Sequence, residues 1–449
     1  MIDLARRAVE ATLAAGASEA EAYASADTGR EVRVHAGSVE SLTAATQRGI
    51  GVRAWIGQRM GYAYGTDLSE AGIAGIGKRA AEAAGIADED EFAGPPSAAS
   101  DSAPELELSD PSVTEWAAAR IADLALAVER SALDADPRIA AVEQAVYADS
   151  AERVAIVSSN GTSGEYESSS AHAYLQALAE GEDGKRETGL GFGVARGPAE
   201  LDPVAIGREG AQRAASMVGA GKPISRACPV VLDATVAASF VSLLGKSLSA
   251  NAVQRGRSPL AGRIGEQVGA DLLALHDDGL DPEGLASAPF DGEGVPHRRT
   301  ALIESGRLHS FLYDTYTARR GAVDSTASAG RGGYRSPPSV APSNLIVESG
   351  SLSFEQLLAE AGEGIFVTDV AGLHSGVNPV SGIFSVGAAG RAIREGALAE
   401  PIREFTIASD LISMLKAVRA VGAAPRWVPF GVSVSTPPLL IGEMSVSGS

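Results

Sequence analysis

The sequence predicts an α+β protein in which mixed and antiparallel sheets are flanked by helices, with a large strand-rich C-terminal region. Three observations lead to this fold class. Segments of alternating apolar and polar residues, joined by short turns rich in Gly and Asn, are typical of hairpins. Stretches with helical spacing flank these strand-rich segments. The length of 449 residues fits roughly three domains at about 150 residues each.

The first predicted domain covers residues 1–90. Its opening helix runs through Leu13 and stops at Gly16, where glycine favours a helix end. Strand signals follow, and Gly57 lies at the centre of a predicted hairpin turn. The remaining predicted elements are strands at 19–26, 30–35, 49–55 and 59–64 and a second helix at about 68–83.

Residues 91–111 are predicted to be an exposed linker, because acidic residues, Pro and Ser replace apolar ones. The second domain, 112–220, opens with a helix at 113–133 that Asp110 or Ser112 is expected to cap. Ser159-Asn-Gly161 is a strong hairpin signal. The remaining predicted elements are strands at 139–147, 153–158, 165–178 and 188–194 and a closing helix at 203–218.

The third predicted domain, 221–449, is rich in glycine and in strands. A short buried strand at 230–232 precedes a helix at 234–248. A hairpin is predicted to turn at 304–307, between strands at 300–303 and 308–313. Further predicted elements are strands at 365–370, 383–386, 391–393 and 439–442 and a helix at 407–421.

Charge and composition exclude several classes of protein. Lys and Arg total 37 against 57 Asp and Glu, a net charge of −20, which disfavours binding to nucleic acid or to an anionic membrane surface. No run of about 18 apolar residues predicts a transmembrane helix, and the N-terminus lacks the apolar region of a signal peptide. We therefore expect a cytoplasmic protein with neither nucleic acid nor a membrane as partner.

Short motifs do not assemble a catalytic group. Residues 72–78 have the spacing of a phosphate-binding loop, but Arg79 stands where Ser or Thr would bind Mg²⁺ and the pattern is helical. The six histidines are scattered, with no pair at the spacing that would share a metal on one helix face. The single cysteine, Cys228, precedes a buried strand, which favours a packed thiol.

Several longer segments carry a more specific signal. Phe290-Asp-Gly-Glu-Gly-Val-Pro-His-Arg-Arg299 is followed by Leu302-Ile-Glu-Ser-Gly-Arg-Leu308 and by Phe311-Leu-Tyr-Asp-Thr-Tyr-Thr-Ala-Arg319. Related segments lie at 376–382, 384–390 and 436–446 and, near the N-terminus, at 38–41 and 48–53. In this order, and over nearly the whole chain, they resemble the TldD/PmbA family.

The resemblance implies one of two kinds of subunit. TldD-type subunits hold a catalytic zinc through His-Glu-x-x-x-His on a helix and a C-terminal cysteine. TldE-type subunits, also called PmbA, lack these ligands and pair with a TldD subunit. With the register fixed by 255–258 and 262–266, the metal motif falls on Val241-Ser-Leu-Leu-Gly-Lys246.

The residues at these motif positions cannot form a zinc site. Val241 has no donor atom, and a protonated Lys246 repels a divalent cation. Ser242 offers no carboxylate as a general base. The C-terminal stretch 430–436 contains serines but no cysteine. The sequence therefore predicts a TldE-type subunit with no catalytic residue and no metal of its own, and zinc is expected on the partner subunit.

One alternative uses the same helix for catalysis. Ser242 and Lys246 are i,i+4 neighbours on the predicted helix, so the spacing allows a Ser/Lys nucleophilic pair. A helix interior, however, supplies no spare backbone N–H groups for an oxyanion hole, and Leu243 and Leu244 indicate packing. A packed helix is the favoured interpretation.

The resemblance implies the non-metal subunit of a TldD/TldE-type heterodimeric zinc metallopeptidase that hydrolyses peptides or peptide-like intermediates. This chain would shape the substrate cleft, where peptides bind as extended strands, and would stabilise its catalytic partner. The alternative is a metal-free homodimeric peptide-binding or scaffold protein, and a homodimer is also an option when the chain is alone.

Polar residues in the family-like segments are the candidates for lining the cleft or the dimer contact. The competing interpretation is that they satisfy turns and sheet edges. These candidates are Asp291, Glu293, Arg298, Tyr313, Tyr316, Arg319 and Asn378.

Overall fold

The computed structural model describes residues 1–97 and 104–448. Residues 98–103, which fall within the predicted linker 91–111, and Ser449 lie outside the described residues. The described residues form antiparallel and mixed sheets flanked by helices, and the C-terminal half is rich in strands. The α+β prediction is confirmed.

The first and second sequence segments share one six-stranded antiparallel sheet, the N-terminal sheet, with strand order β3-β2-β1-β4-β5-β6. Strand β1 joins the two segments, because it pairs with β2 on one side and β4 on the other. The elements are α1 (Ile2–Ala14), β1 (Glu19–His35), β2 (Ser38–Ile56), β3 (Arg59–Gly65), α2 (Glu70–Ile86), α3 (Ser112–Glu115), α4 (Ala118–Ala135), β4 (Ile139–Ser158), β5 (Ser163–Glu180), β6 (Arg186–Ala195) and α5 (Pro203–Ala215).

Both faces of this sheet are covered around β1. Ala20, Ala22 and Ala24 alternate along one face and pack with helices α1 and α2. On the opposite face, Tyr23 packs with residues of the C-terminal domain, including Phe290. This two-sided pairing and packing explains why the strands predicted at 19–26 and 30–35 are one continuous strand.

The helix predicted at 113–133 is interrupted. Helix α3 ends before Trp116, which is extended, and α4 starts at Ala118. The side chain of Arg30 donates hydrogen bonds to the carbonyl oxygens of Val113 and Trp116. These carbonyls are thereby taken from the helical ladder, a tertiary contact that local periodicity does not encode.

The C-terminal domain contains two six-stranded sheets, β10-β9-β8-β13-β19-β18 and β16-β15-β14-β7-β20-β17, and the two-stranded β11-β12. Its elements are β7 (Arg226–Leu232), α6 (Ala234–Ser247), α7 (Ala250–Gln254), β8 (Leu275–Asp278), β9 (Arg299–Glu304), β10 (Arg307–Leu308), α8 (Thr315–Gly321), β11 (Ala329–Gly330), β12 (Ser339–Val340), β13 (Asn344–Val347), α9 (Phe354–Ala361), β14 (Gly364–Ala371), β15 (Ile383–Arg394), β16 (Ala397–Asp410), α10 (Leu411–Lys416), β17 (Val418–Val421), β18 (Arg426–Val428), β19 (Ser433–Thr436) and β20 (Leu439–Ser447).

The helix predicted at 407–421 is wrong. Ile407 belongs to β16, where it pairs with both Val386 and Val446. The chain turns helical only after Asp410, whose carboxylate caps α10, and it returns to a strand at Val418. Short apolar runs fit a helix or a strand equally well, and the sheet decides between them here.

The largest apolar core lies in the C-terminal domain and includes residues of α6 and of both large sheets. Helix α6 contacts β13, β14 and β19, so it is surrounded by protein over much of its length. Among the described residues, no helix is long and apolar enough to cross a membrane.

Candidate functional site

The family-like segment 290–299 lies at the junction between the C-terminal domain and the N-terminal sheet. The side chain of Asp291 is buried and accepts hydrogen bonds from three backbone N–H groups, those of Glu293, Val295 and Ala329. These bonds fix the turn at 291–295 and tie it to β11. The Asp291 carboxylate therefore fixes the backbone conformation of this turn.

Glu293 is part of a buried chain of ion pairs that crosses the junction. Its Oε1 accepts a hydrogen bond from Nη1 of Arg53 at 2.8 Å. The same guanidinium holds Glu21 through Nε at 3.0 Å and Nη2 at 2.5 Å. The other oxygen of Glu293 accepts from the backbone N–H of Thr315 at 2.9 Å. One carboxylate therefore links β2 to the start of α8.

The N-terminus of α8 is fixed by a capping box, which leaves one backbone N–H group available to Glu293. Asp314 and Thr317 form a capping box, in which the Asp314 carboxylate accepts from the N–H of Thr317 at 2.8 Å. The N–H of Thr315, in the first turn, has no intrahelical acceptor, and Glu293 supplies one.

A second arginine completes the ion cluster. Arg331 lies almost fully buried, donates to Glu21 and to the carbonyl oxygen of Gly292, and stacks 4.7 Å from the ring centre of Tyr23. Two guanidinium groups thus balance the carboxylates of Glu21 and Glu293. We call Glu21, Arg53, Glu293 and Arg331 the junction cluster.

Burial and neighbouring charges shift the pKa values of Glu293 and of the adjacent Asp291 in opposite directions. Burial opposes the charged form of Glu293, but the Arg53 guanidinium and the Thr315 hydrogen bonds outweigh it, so the pKa of Glu293 lies below its ordinary value. Burial, reinforced by the Glu293 charge, raises the pKa of Asp291. The cluster therefore holds Glu293 as an anion.

Two more candidates, Tyr316 and Arg319, lie on α8 and face the start of the predicted linker. The Tyr316 hydroxyl donates to the Asp90 carboxylate at 2.9 Å. Arg319 donates to the carbonyl oxygens of Gly94 at 2.9 Å and Pro95 at 2.5 Å. Both side chains hold residues 90–95 against the C-terminal domain.

The other three candidates, Arg298, Tyr313 and Asn378, do not belong to the junction cluster. Arg298 is exposed, and Tyr313 is half-buried with its ring near that of Phe311. Asn378 is exposed, and its Oδ1 accepts from the N–H groups of Val380 and Ser381 at 3.0 and 3.1 Å. The side chain of Asn378 therefore closes a turn.

Helix α6 carries the three residues on which the sequence resemblance places the metal motif. Val241 is buried in the core, Ser242 is half-buried and Lys246 is exposed. Valine has no donor atom, and neither serine nor lysine is among the imidazole, thiolate and carboxylate ligands of protein zinc sites, so this set of side chains does not fit a Zn²⁺ ion.

The C-terminal strand β19 offers no replacement ligand near α6. The Ser433 hydroxyl donates to the side-chain oxygen of Asn344 at 2.7 Å and is buried, and Ser435 is buried as well. Within residues 1–97 and 104–448, no group of three or more His, Cys, Asp and Glu side chains is arranged to hold a metal ion.

A cavity of about 410 Å³ lies between the N-terminal sheet and the C-terminal domain. Tyr23 of β1, Glu152 of β4 and Tyr166 of β5 line its sheet side, and His297 and Arg331 line the opposite side. A neighbouring groove of about 790 Å³ shares Tyr166 as a wall. We call the 410 Å³ space the junction cavity.

Burial governs the titration of the junction cavity. It raises the pKa of Tyr23 and of Tyr166, and it also raises that of Glu152, with the Asp27 charge adding to the effect. Burial lowers the pKa of His297 to about 4. The cavity therefore presents uncharged hydroxyl and imidazole groups beside the carboxyl groups of Glu152 and Asp291 and the guanidinium of Arg331, a set of donors and acceptors that suits hydrogen bonding to peptide groups.

Sequence reasoning missed several residues that the fold brings together here, namely Glu21, Tyr23, Glu152, Tyr166 and Arg331. One signal was present in β1, where Glu19-Ala-Glu21-Ala-Tyr23-Ala places polar side chains on one face and alanines on the other. Such alternation is typical of a strand with one packed and one solvated face, and the aromatic side chain of Tyr23 on the polar face is the part of the pattern that indicates a cover on that face too. Arg53 lies in a family-like segment but was not singled out.

Comparison with known proteins gives matches along nearly the whole chain. Three family models match in order: "PmbA/TldA metallopeptidase domain 1" over 20–86, the "central domain" over 111–218 and the "C-terminal domain" over 225–448. Among curated proteins, the chain is 29% identical to "Metalloprotease PmbA" of Escherichia coli O157:H7, covering 97% of this chain and 94% of that protein. A "Metalloprotease PmbA homolog" of Haemophilus influenzae is also 29% identical, with coverage of 98% and 95%.

Solved structures share the same architecture. A protein of Thermotoga maritima described as a putative modulator of a DNA gyrase matches with a TM-score of 0.90 and 25% identity, covering 99% of each chain. The structure of TldE from Thermococcus kodakarensis matches with a TM-score of 0.90 at 21% identity, again over 99% of each chain, which shows a shared fold.

Proposed function

Because this chain belongs to the PmbA/TldA metallopeptidase family, the TldD/PmbA family of the sequence resemblance, we propose that it is the non-metal subunit of a heterodimeric peptidase. The catalytic zinc then belongs to a TldD-type partner. This chain contributes part of the wall along which peptides, or peptide-like intermediates, bind.

The observation that carries this proposal is the set of side chains on α6. Val241, Ser242 and Lys246 supply neither two imidazoles nor a carboxylate base, and Val241 packs in the core. A subunit built in this way contributes to hydrolysis only through binding and positioning, because it has no group to activate water at these positions.

The junction cavity supports the binding role. It is bounded by β1, β4 and β5, and its hydroxyl, carboxyl and imidazole groups are of the kind that pair with peptide N–H and C=O groups. The junction cluster keeps the opposite wall in place by holding Glu293 and Arg331 against the N-terminal sheet. A rigid wall lowers the entropic cost of ordering an extended peptide.

The Ser/Lys alternative is weaker than the binding role. Lys246 is exposed and no hydrogen bond within the described residues joins it to Ser242. A lysine that acts as a base at neutral pH needs burial or a neighbouring charge to lower its pKa.

The test is reconstitution with the TldD-type subunit of the same organism. Hydrolysis of an unfolded polypeptide and zinc content are measured for the mixture and for each subunit alone. The proposal expects activity in the mixture and zinc only on the partner. Zinc-dependent hydrolysis by this chain alone would overturn it. A metal-free homodimeric peptide-binding or scaffold protein, the alternative function, would neither join the partner nor raise its activity.

A further inference from the structure

A second cavity of about 410 Å³ lies between the β6 end of the N-terminal sheet and the start of α6. Strands β5 and β6 and the end of α5 line one side, and α6, β14 and β15 line the other. Its volume is within the range of small-ligand sites, about 300–1,000 Å³. Among the described residues it has no lining residue in common with the junction cavity. We call it the α6 cavity.

The hydroxyl groups on the helical side of the α6 cavity donate their hydrogens to the protein itself. Ser216 donates to the carbonyl oxygen of Arg213 at 2.8 Å. Thr235 donates to the Asp233 carboxylate at 2.6 Å, and Ser239 donates to the carbonyl oxygen of Thr235 at 3.0 Å. A hydroxyl has one hydrogen and two lone pairs, so these oxygens are left as acceptors. They suit a ligand that brings its own hydrogen-bond donors.

The two arginines that line the α6 cavity are paired within its walls. Arg213 forms ion pairs with Asp233 at 2.7 Å and with Glu209 at 3.0 Å. Arg403 pairs with Glu187 at 2.7 Å. Neither guanidinium is therefore left as an uncompensated positive charge for an anionic ligand.

One carboxylate of the α6 cavity differs from the other charged groups. Asp369 on β14 lines the cavity and is exposed, and within residues 1–97 and 104–448 it forms no ion pair. The register between β14 and β15 shifts between Val367 and Asp369, and a bulge of this kind changes the direction of a side chain. The charge that the cavity offers to a ligand is therefore negative.

Large apolar side chains lie beside this carboxylate. Leu190 and Phe430 both line the α6 cavity although they are 40% and 51% exposed, and exposed apolar side chains gathered at one site are typical of binding surfaces. The rings of Phe430 and Phe192 lie 4.9 Å apart. Aromatic faces also attract cations. The ligand that fits therefore combines a cation with an apolar group.

From these observations we propose that the α6 cavity binds a primary ammonium group attached to an apolar residue, as at the amino terminus of a peptide that begins with leucine. An ammonium group has three hydrogens to donate and no acceptor. Asp369 balances its charge, the hydroxyl oxygens of Thr235 and Ser239 accept its hydrogens, and the apolar side chain packs on Phe430. A lysine side chain, an ammonium on an apolar stem, is the other source of this chemistry. The site requires no catalytic partner.

The first test compares short peptides by isothermal titration calorimetry with the isolated full-length chain at about pH 7, where an amino terminus is mostly protonated. Leu-Ala-Ala-amide is expected to bind at least about tenfold more tightly than its N-acetylated form, a difference of about 1.4 kcal/mol. N-acetyl-Ala-Lys-Ala-amide tests lysine as the source, and the tighter of the two amines identifies the source. If neither amine binds more tightly than acetylated Leu-Ala-Ala-amide, the proposal is overturned.

Raising the pH separates the two sources independently. At about pH 9 an amino terminus is mostly deprotonated, whereas a lysine, with an ordinary pKa of about 10.4, remains charged. The affinity for Leu-Ala-Ala-amide is therefore expected to fall, while that for the lysine peptide is kept. Binding of Leu-Ala-Ala-amide that is equally tight at both pH values contradicts an ammonium site.

The second test removes the charge and the apolar surface in turn. Asp369→Asn keeps the size of an exposed side chain and is expected to raise the dissociation constant for the amine at least about tenfold. Asp123→Asn, on the exposed face of α4 outside the cavity, is the matched control for net charge and is expected to change nothing. Phe430→Ala is expected to weaken binding of Leu-Ala-Ala-amide more than that of Gly-Ala-Ala-amide. Unchanged affinity in Asp369→Asn, or an equal loss in Asp123→Asn, overturns the proposal.

Discussion

Arg53 on β2 donates a hydrogen bond to Glu293, a residue 240 positions later in the chain, and both side chains are buried. The same arginine lies directly opposite Glu21 in the register of β1 and β2. The buried positive charge of Arg53 on the N-terminal sheet is therefore compensated in part by the negative charge of Glu293 in the C-terminal domain. The two parts of the molecule are joined by ions that water does not reach.

Removing Arg53 is expected to destabilise the protein strongly. Arg53→Met leaves the buried carboxylate of Glu293 without its cation, a change that costs about 3–5 kcal/mol for buried pairs. Chemical denaturation of the wild type, Arg53→Met, Glu293→Gln and the double variant measures the coupling.

The double variant of that cycle should lose less than the sum of the two single losses, because no uncompensated charge remains at Glu293. As a control, Asp3→Asn at the exposed Arg6–Asp3 pair should change stability little. Strict additivity of the two junction variants would show that the pair is not coupled.

Gly51 is expected to tolerate no side chain. A Cβ atom at this position would lie 2.1 Å from the hydroxyl oxygen of Tyr62 and 2.4 Å from the backbone oxygen of Tyr334. Gly51→Ala therefore forces the C-terminal domain away from β2 and should cost about 1–3 kcal/mol. Thermal unfolding of Gly51→Ala is compared with Gly85→Ala, where a Cβ meets no atom within 4 Å in a helix. A similar effect of both substitutions would contradict the close approach.

Asp277 is expected to make stability depend on pH. Burial raises its pKa from 3.8 to about 7, although hydrogen bonds from Ser343 act the other way. The folded protein then holds this proton more tightly than the unfolded chain, so the free energy of unfolding falls as pH rises from about 4 to about 7. Asp277→Asn keeps an acceptor for Ser343 and cannot ionise.

At pH 4 the Asp277→Asn variant should match the wild type, and at pH 8 it should be more stable by up to about 4 kcal/mol. Urea unfolding of both proteins at each pH gives this difference. His297 has the opposite dependence, since its lowered pKa removes stability as pH falls from about 6.5 toward 4, but it is present in both proteins and cancels. If the difference in free energy of unfolding between the two proteins did not change with pH, the raised pKa of Asp277 would be contradicted.

Asn378 is expected to matter more for activity than for stability. Its Oδ1 closes the turn at 378–381, and because Asn378 is exposed its amide nitrogen can contact a neighbouring molecule. Asn378→Ala should lower hydrolysis by the assembled complex about tenfold or more, the effect of losing about 1.4 kcal/mol of binding. Asn378→Asp keeps the acceptor of the turn and tests the amide alone. Parallel losses of activity and thermal stability would reduce Asn378 to a turn residue.

Local sequence predicts the elements of this fold better than it predicts where they end. The hairpin at Ser159-Asn-Gly161 and the helix at 234–248 follow from turn chemistry and periodicity, and both are present. The break at Trp116 and the strand at Ile407 are decided by distant partners, Arg30 and β15, which no local window contains.

The candidate site shows the same limit. The family-like segments single out Asp291 and Glu293, but the partner of Glu293 is Arg53, and the walls of the junction cavity come from β1, β4 and β5. Residues such as Tyr23 and Glu152 are ordinary strand residues until the C-terminal domain covers them. Burial, rather than residue type, makes them unusual.

The most direct test of the proposed function is native mass spectrometry of this chain co-expressed with the TldD-type subunit of its own organism, under conditions that retain metals. We expect a complex of one copy of each chain, with a zinc ion on the partner and none on the 45.7 kDa chain. Stoichiometric zinc on this chain would contradict the conclusion drawn from Val241, Ser242 and Lys246.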